Sequence, residues 1–71
     1  MDIYVCVDSD NKVLEVFNNA DAAINSWLWS CQDKVMQFKD IAYSHDINVY
    51  ANEEFVGKIL FKYLYTRATH L

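Results

Sequence analysis

The sequence predicts a small α+β domain, an antiparallel sheet of two hairpins with a helical middle segment packed on one face. Three observations predict it. "DIYVCVD" alternates apolar and polar-compatible positions before a polar turn and a second β-rich run. An Asn-led stretch from residue 18 then carries apolar residues at helical spacing. Finally, "INVYANEEFVGKILFKYLY" is rich in β-branched and aromatic residues and is divided by a polar triplet.

In the first run Ile3, Val5 and Val7 face one way and Tyr4 and Cys6 the other, the period of a strand. "SDNK" makes the turn, with Asn11 the residue best suited to a left-handed conformation, and "VLEVF" returns. Asn18 reads as the N-cap of the helix, with Asp21 three residues on completing a weak capping box. Ala20, Ala23, Ile24, Trp27, Leu28 and Cys31 then share one face. Trp27 and Trp29 are about 200° apart around such a helix, so they cannot enter the same core. Trp27 lies on the apolar stripe. Trp29 shares its face with Asn25, Ser26, Gln32 and Asp33, and is either an interface residue or part of a second core layer.

Beyond Cys31, Val35, Phe38 and Ile41 continue a helical stripe, so the helix either runs to about residue 42 or breaks near Ser30 and resumes; helix is the preferred reading, and "KVMQFKDIAY" as a strand is the alternative. For residues 46–65 the sequence permits a helix capped by Asn52, but Gly57 would weaken it by about 1 kcal/mol. The preferred reading is a hairpin. Ile47, Val49 and Ala51 alternate, "NEE" turns, and the lone Gly57 marks a bulge or a close backbone approach. "TRATHL" reads as a frayed end.

Seventy-one residues make one small domain, which buries a modest fraction of its surface. The eleven aromatic residues exceed what such a core readily hides, which points to a partner or a homodimer. Cys6 and Cys31 are expected to be free thiols in a reducing cytoplasm, with no secretory leader in "MDIYVCVDSD" and no membrane-spanning run. All ten acids lie within residues 1–57, against a formal net charge of −4. That balance argues against direct nucleic-acid binding, which wants a basic patch. Tyr63, Tyr65, Lys58, Lys62 and Arg67 have the residue types for base stacking, but read better as an apolar-in, basic-out strand.

No chemistry-bearing constellation stands out. Cys6, Cys31, His45 and His70 lack metal-site spacing, so neither a metal nor a cofactor is expected. "YSHD", residues 43–46, contains nucleophile, base and acid types, yet sequence neighbours rarely aim at one point. The carboxylate pairs Asp8/Asp10 and Glu53/Glu54 fall on turn tips, without the cleft that would shift a pKa. An enzyme is not expected. Surface recognition remains, with Trp29, Asp33, Asp8, Asp10, Glu53 and Glu54 as the candidate partner-binding residues. The two acidic tips could lie together or at opposite edges.

"IYVCVDSDNKVLEVFNNADAAINSW" and "VYANEEFVGKI" resemble the hairpin-helix-hairpin pattern of small acidic bacteriophage-encoded proteins, over about two thirds of the chain. The "NEE" turn departs from the Gly-bearing turn common in such chains. The resemblance implies a role and no particular residue: binding and blocking one host protein, such as a CRISPR effector, another defence enzyme, or a transcription or replication factor. A homo-oligomeric assembly module is the alternative.

Overall fold

The computed structural model describes residues 2–41 and 45–63. Expectations for Tyr43, Ser44, Tyr65, Arg67, His70 and the frayed end lie outside the described residues. The elements are β1 (Asp2–Asp8), β2 (Val13–Phe17), α1 (Ala20–Ser30), β3 (Met36–Asp40), β4 (Ile47–Ala51) and β5 (Glu54–Tyr63). The five strands form one sheet in the order β2-β1-β5-β4-β3, antiparallel throughout. Among the described residues the α+β expectation holds in a sheet-dominated form, with one short helix.

The β1–β2 turn is built by its own side chains. Asn11 N–H donates to the Asp8 carbonyl at 2.9 Å, closing a tight turn, and Asn11 sits at φ 65° as expected. Asp8 Oδ1 accepts from the backbone N–H groups of both Asp10 and Lys12, at 2.9 Å each. This is the three-residue hairpin loop in which a turn is followed by one left-handed residue.

The helix starts one residue later than expected. Asn19, not Asn18, is the N-cap, its side-chain oxygen accepting from Ala22 N–H at 2.8 Å. Asn18 instead accepts from the Asn19 side-chain amide. Asp21 therefore belongs to no capping box, but its charge lies in the first turn beside the positive helix end.

The middle segment is the main correction. The helix ends at Ser30, with Cys31 as C-cap, and residues 36–40 form β3 rather than a helical continuation. Met36 and Phe38 alternate inward against Gln37 and Lys39, and five residue pairs register β3 on β4. The i, i+3 spacing of Val35, Phe38 and Ile41 is coincidental, since Val35 is exposed. Pairing with β4, which local periodicity does not report, decides the conformation.

The second hairpin forms as expected and turns more tightly than "NEE" suggests. Ala51 pairs with Glu54, leaving Asn52 and Glu53 as a two-residue loop at φ 50° and 68°. This is the mirror-image turn that matches strand twist, with Glu in the place where glycine is usual. Asn52 also ties the turn to the α1–β3 connection. Its backbone N–H donates to the Val35 carbonyl at 2.8 Å, and its side-chain oxygen accepts from Val35 N–H at 2.9 Å.

Between Val49 and Tyr50 the β4–β5 register shifts, and Val56 is the extra residue. Next to this bulge lies Gly57. A Cβ there would sit 2.7 Å from Trp27 Cζ2 and against the Val7 carbonyl, so glycine is needed for close approach. Both readings of Gly57, bulge and close approach, are realised. The core lies where α1 meets the sheet: Ala23 and Trp27 with Cys6, Val49 and Ile59, flanked by Tyr4, Phe17, Phe38 and Ile47. Each fully buried aliphatic contributes about 1.5–3 kcal/mol.

Candidate functional site

Register and chain direction bring the candidate residues to one end of the molecule. Asp8 pairs with Gly57, so the β1–β2 turn lies at the same end of the sheet as the start of β5 and its turn. The strands β1 and β5 are neighbours, which sets the two tips side by side. The question of tips together or apart is answered: Asp8, Asp10, Glu53 and Glu54 share an end. Asp33 joins them, because it lies three residues before Met36, which pairs with Ala51, and Asn52 holds the same connection through Val35. The helix runs toward this end as well. It starts after Phe17, level with Tyr4, and its eleven residues rise about 16 Å.

The tryptophans separate as their spacing requires. Trp27 is 7% exposed and packs over Gly57; Trp29 is 73% exposed. Among the described residues Trp29 belongs to no second core layer. It lines a shallow open concavity of about 280 Å³ with Asn25, Leu28 and Gln32. A large apolar side chain thus stands in water near the acidic end, on the side of the helix turned from the sheet.

The acids are not equivalent. Asp8 is partly buried, and one carboxylate oxygen is committed to the turn it organises. Asp10, Asp33, Glu53 and Glu54 are exposed. The turn thus holds Asp8 in place, while the other four carboxylates are open to a partner.

The remaining candidates for chemistry take structural places. Asp46 Oδ1 accepts from Phe61 N–H at 2.7 Å, and the His45 ring meets the Phe61 ring edge-on at 5.1 Å. His45 and Asp46 therefore tie the β3–β4 connection to β5. Cys6 is buried in the core, its thiol weakly directed to the Ala23 carbonyl at 3.9 Å. Burial, and secondarily the Glu15 carboxylate across the β1–β2 pair, raise its pKa, while the Trp27 indole N–H opposes them weakly. That N–H has no conventional hydrogen-bond partner among the described residues. A thiol held protonated is a poor nucleophile. Among the described residues no group of three or more His, Cys, Asp or Glu is placed to hold a metal ion. Among them, too, no helix is long and apolar enough to cross a membrane.

One surface escaped the sequence reading. Residues paired across strands share a face. Pairing with the core residues Tyr4, Cys6, Ile59, Ile47 and Val49 defines the side that α1 covers, and the opposite side is graded in burial, with Val7 2% exposed, Ile3, Val5 and Leu60 half-buried, and Val13 and Val16 exposed. On that side Val16, Val5 and Leu60 form one row across β2, β1 and β5, with Val13 and Val7 in the next. The signal was present in the alternation of β1, but the bulges in its neighbours hide the parity.

The fold and its surfaces define a class: a small, sheet-dominated α+β domain with an acidic end and an exposed tryptophan. No family model, curated protein or solved structure matches this chain.

Proposed function

We propose that the chain is a non-enzymatic, phage-encoded binding protein that blocks a bacterial defence protein, such as a CRISPR effector, or a nucleic-acid-handling host protein. It acts in the host cytoplasm, without a cofactor and without itself contacting nucleic acid or membrane. One observation carries this reading: topology gathers Asp10, Asp33, Glu53 and Glu54 at a single end, close to an indole that stands 73% exposed. Clustered carboxylates steer a basic surface into contact and reject acidic ones. Tryptophan supplies the desolvated anchor that such interfaces concentrate their energy in, where truncation typically costs about 2 kcal/mol or more.

The test is affinity capture from bacterial lysate with wild-type protein beside Trp29→Ala and an Asp10→Asn/Glu53→Gln variant. An abundant partner that is retained by wild type and lost in both variants supports the reading. Retention by both variants would remove the acidic end and Trp29 from the interface.

A homo-oligomeric assembly module is the second reading. It is favoured by Val13, Leu14 and Val16, which stand 58%, 54% and 51% exposed on the edge strand β2. Edge strands of this kind are prone to pair with another chain. Recovery of the bait alone, with light scattering showing a dimer, would favour it.

A further inference from the structure

The outer surface of α1 near its C-terminus is short of cations. The helix carries one charged residue, Asp21, and no basic residue in its last turn. Among the described residues the carbonyls of Leu28, Trp29 and Ser30 accept no protein hydrogen bond. Their partial negative charge adds to that of the exposed Asp33 just beyond.

The concavity at this end is lined by two apolar side chains, Leu28 and Trp29, and by two primary amides, Asn25 and Gln32. Spacings of three and four residues place them on one patch. Among the described residues neither amide side chain has a hydrogen-bond partner. No ammonium of the described residues lies over the Trp29 ring, whereas that of Lys39 lies 4.9 Å from the centre of the Tyr50 ring.

We propose that this concavity seats an arginine side chain of a partner protein. The guanidinium lies on the Trp29 indole and donates to the amide oxygens of Asn25 and Gln32. The proposal rests on the reading of Trp29 as an interface residue, and gives that residue its target.

Arginine meets what the concavity offers. Its guanidinium has several N–H donors and no acceptor, so it can use both amide oxygens. It stays charged, which the helix end and Asp33 favour. Its planar, weakly hydrated face stacks on indole, the ring that holds cations best. Its methylene stem can lie along Leu28, which is 41% exposed. Other occupants use less. Lysine brings the charge but no plane, and gives up a tighter hydration shell. An aliphatic side chain covers Leu28 and Trp29 and ignores the amides and the charge. A phosphate or carboxylate meets the negative helix end, Asp33 and a net charge of −4.

The probes are the N-acetyl amides of arginine, lysine, citrulline and norleucine, each titrated into the full chain. Binding is followed by NMR at the Trp29 indole N–H and the side-chain amides of Asn25 and Gln32. Citrulline keeps the plane and loses the charge, while norleucine keeps only an aliphatic stem. Arginine is expected to bind tighter than each of the others by about threefold or more, the gain of a cation–π contact at an exposed site. Trp29→Leu, a change at an exposed helix position, should erase that preference while the rest of the spectrum stays folded. Gln32→Ala should reduce it.

Equal response to arginine and lysine would reduce the effect to attraction by net charge. Equal response to arginine and norleucine would reduce it to apolar contact. Either result overturns the proposal, as does the absence of any response at Trp29. A change in the Trp29 indole signal of the free chain on Arg67→Gln would assign the seat to the chain's own arginine, and would also overturn it. A partner captured by wild type and lost by Trp29→Ala would survive all of these results, so the interface reading and the arginine assignment fail separately.

Discussion

Adding one methyl group at Gly57 tests how the sheet and helix are joined. The backbone of Gly57 does not occupy a positive φ, so alanine meets no conformational obstacle there. Taken alone, Gly57→Ala would stabilise by about 0.4–1 kcal/mol through the unfolded chain. Space opposes this. The new Cβ would lie 2.7 and 2.8 Å from two carbons of the Trp27 ring, and closer still to the Val7 carbonyl oxygen. The ring is wedged in the core and the oxygen is backbone, so neither yields by a simple rotamer change. Overpacking of this kind costs about 1–3 kcal/mol, and parting β1 from β5 adds to it. A net loss of about 3 kcal/mol is expected. That is a large share of the ~4–10 kcal/mol available to a chain of this size. Thermal unfolding should fall by about 12–24 °C, measured by circular dichroism. A variant within about 0.5 kcal/mol of wild type would refute the claim that the Trp27–Gly57 contact sets the fit of α1 on the sheet.

Three further outcomes follow from the turns and the core. Glu53→Gly should stabilise by about 0.5–1 kcal/mol, because a left-handed non-glycine residue at φ 68° is strained by about 1–2 kcal/mol and glycine loses part of that advantage to chain entropy; urea midpoints would show it. Asn52→Ala should cost about 1–2 kcal/mol by leaving Val35 N–H without its acceptor, and hydrogen exchange should rise first at the β3–β4 edge. Cys6 gives a pH dependence of known sign. Its folded pKa is raised, so its contribution to stability is fully present below the ordinary thiol pKa of about 8.5 and is lost as pH rises through the higher folded value. Unfolding free energy should therefore decline in mildly alkaline buffer, and a Cys6→Ala variant should lack that component.

The elements that were legible in the sequence are those whose determinants are local. β1, its turn and β2 follow from alternation and from one asparagine suited to φ 65°. The second hairpin followed from β-branched content, and Gly57 announced both the bulge and the close approach. The helix start was misplaced by one residue because Asn18 and Asn19 both suit a cap, and only the geometry of Ala22 N–H selects between them. β3 is ambiguous in sequence because "KVMQFKD" carries two periods at once. Met36 and Phe38 alternate, while Val35, Phe38 and Ile41 step by three. No glycine or proline marks the helix end at Ser30. For the candidate site, the residue types and the separation of Trp27 from Trp29 could be read directly. The convergence of Asp10, Asp33, Glu53 and Glu54 on one end could not, since it depends on β1 pairing with β5.

The two bulges explain why the faces of β2 and β5 cannot be read from regular alternation. Glu54, Lys58 and Lys62 are spaced by four, and in a regular strand all three would share a face. The extra residue Val56 turns Glu54 to the Ala51 side and leaves both lysines on the side away from α1. β2 repeats the device. Val13 and Glu15 would share a face in a regular strand, but the extra residue Leu14 sets Val13 opposite Val7 and Glu15 opposite Cys6. The bulge in β5 thus sets Glu54 on the other face from its lysines, and the bulge in β2 sets Val13 on the other face from Glu15.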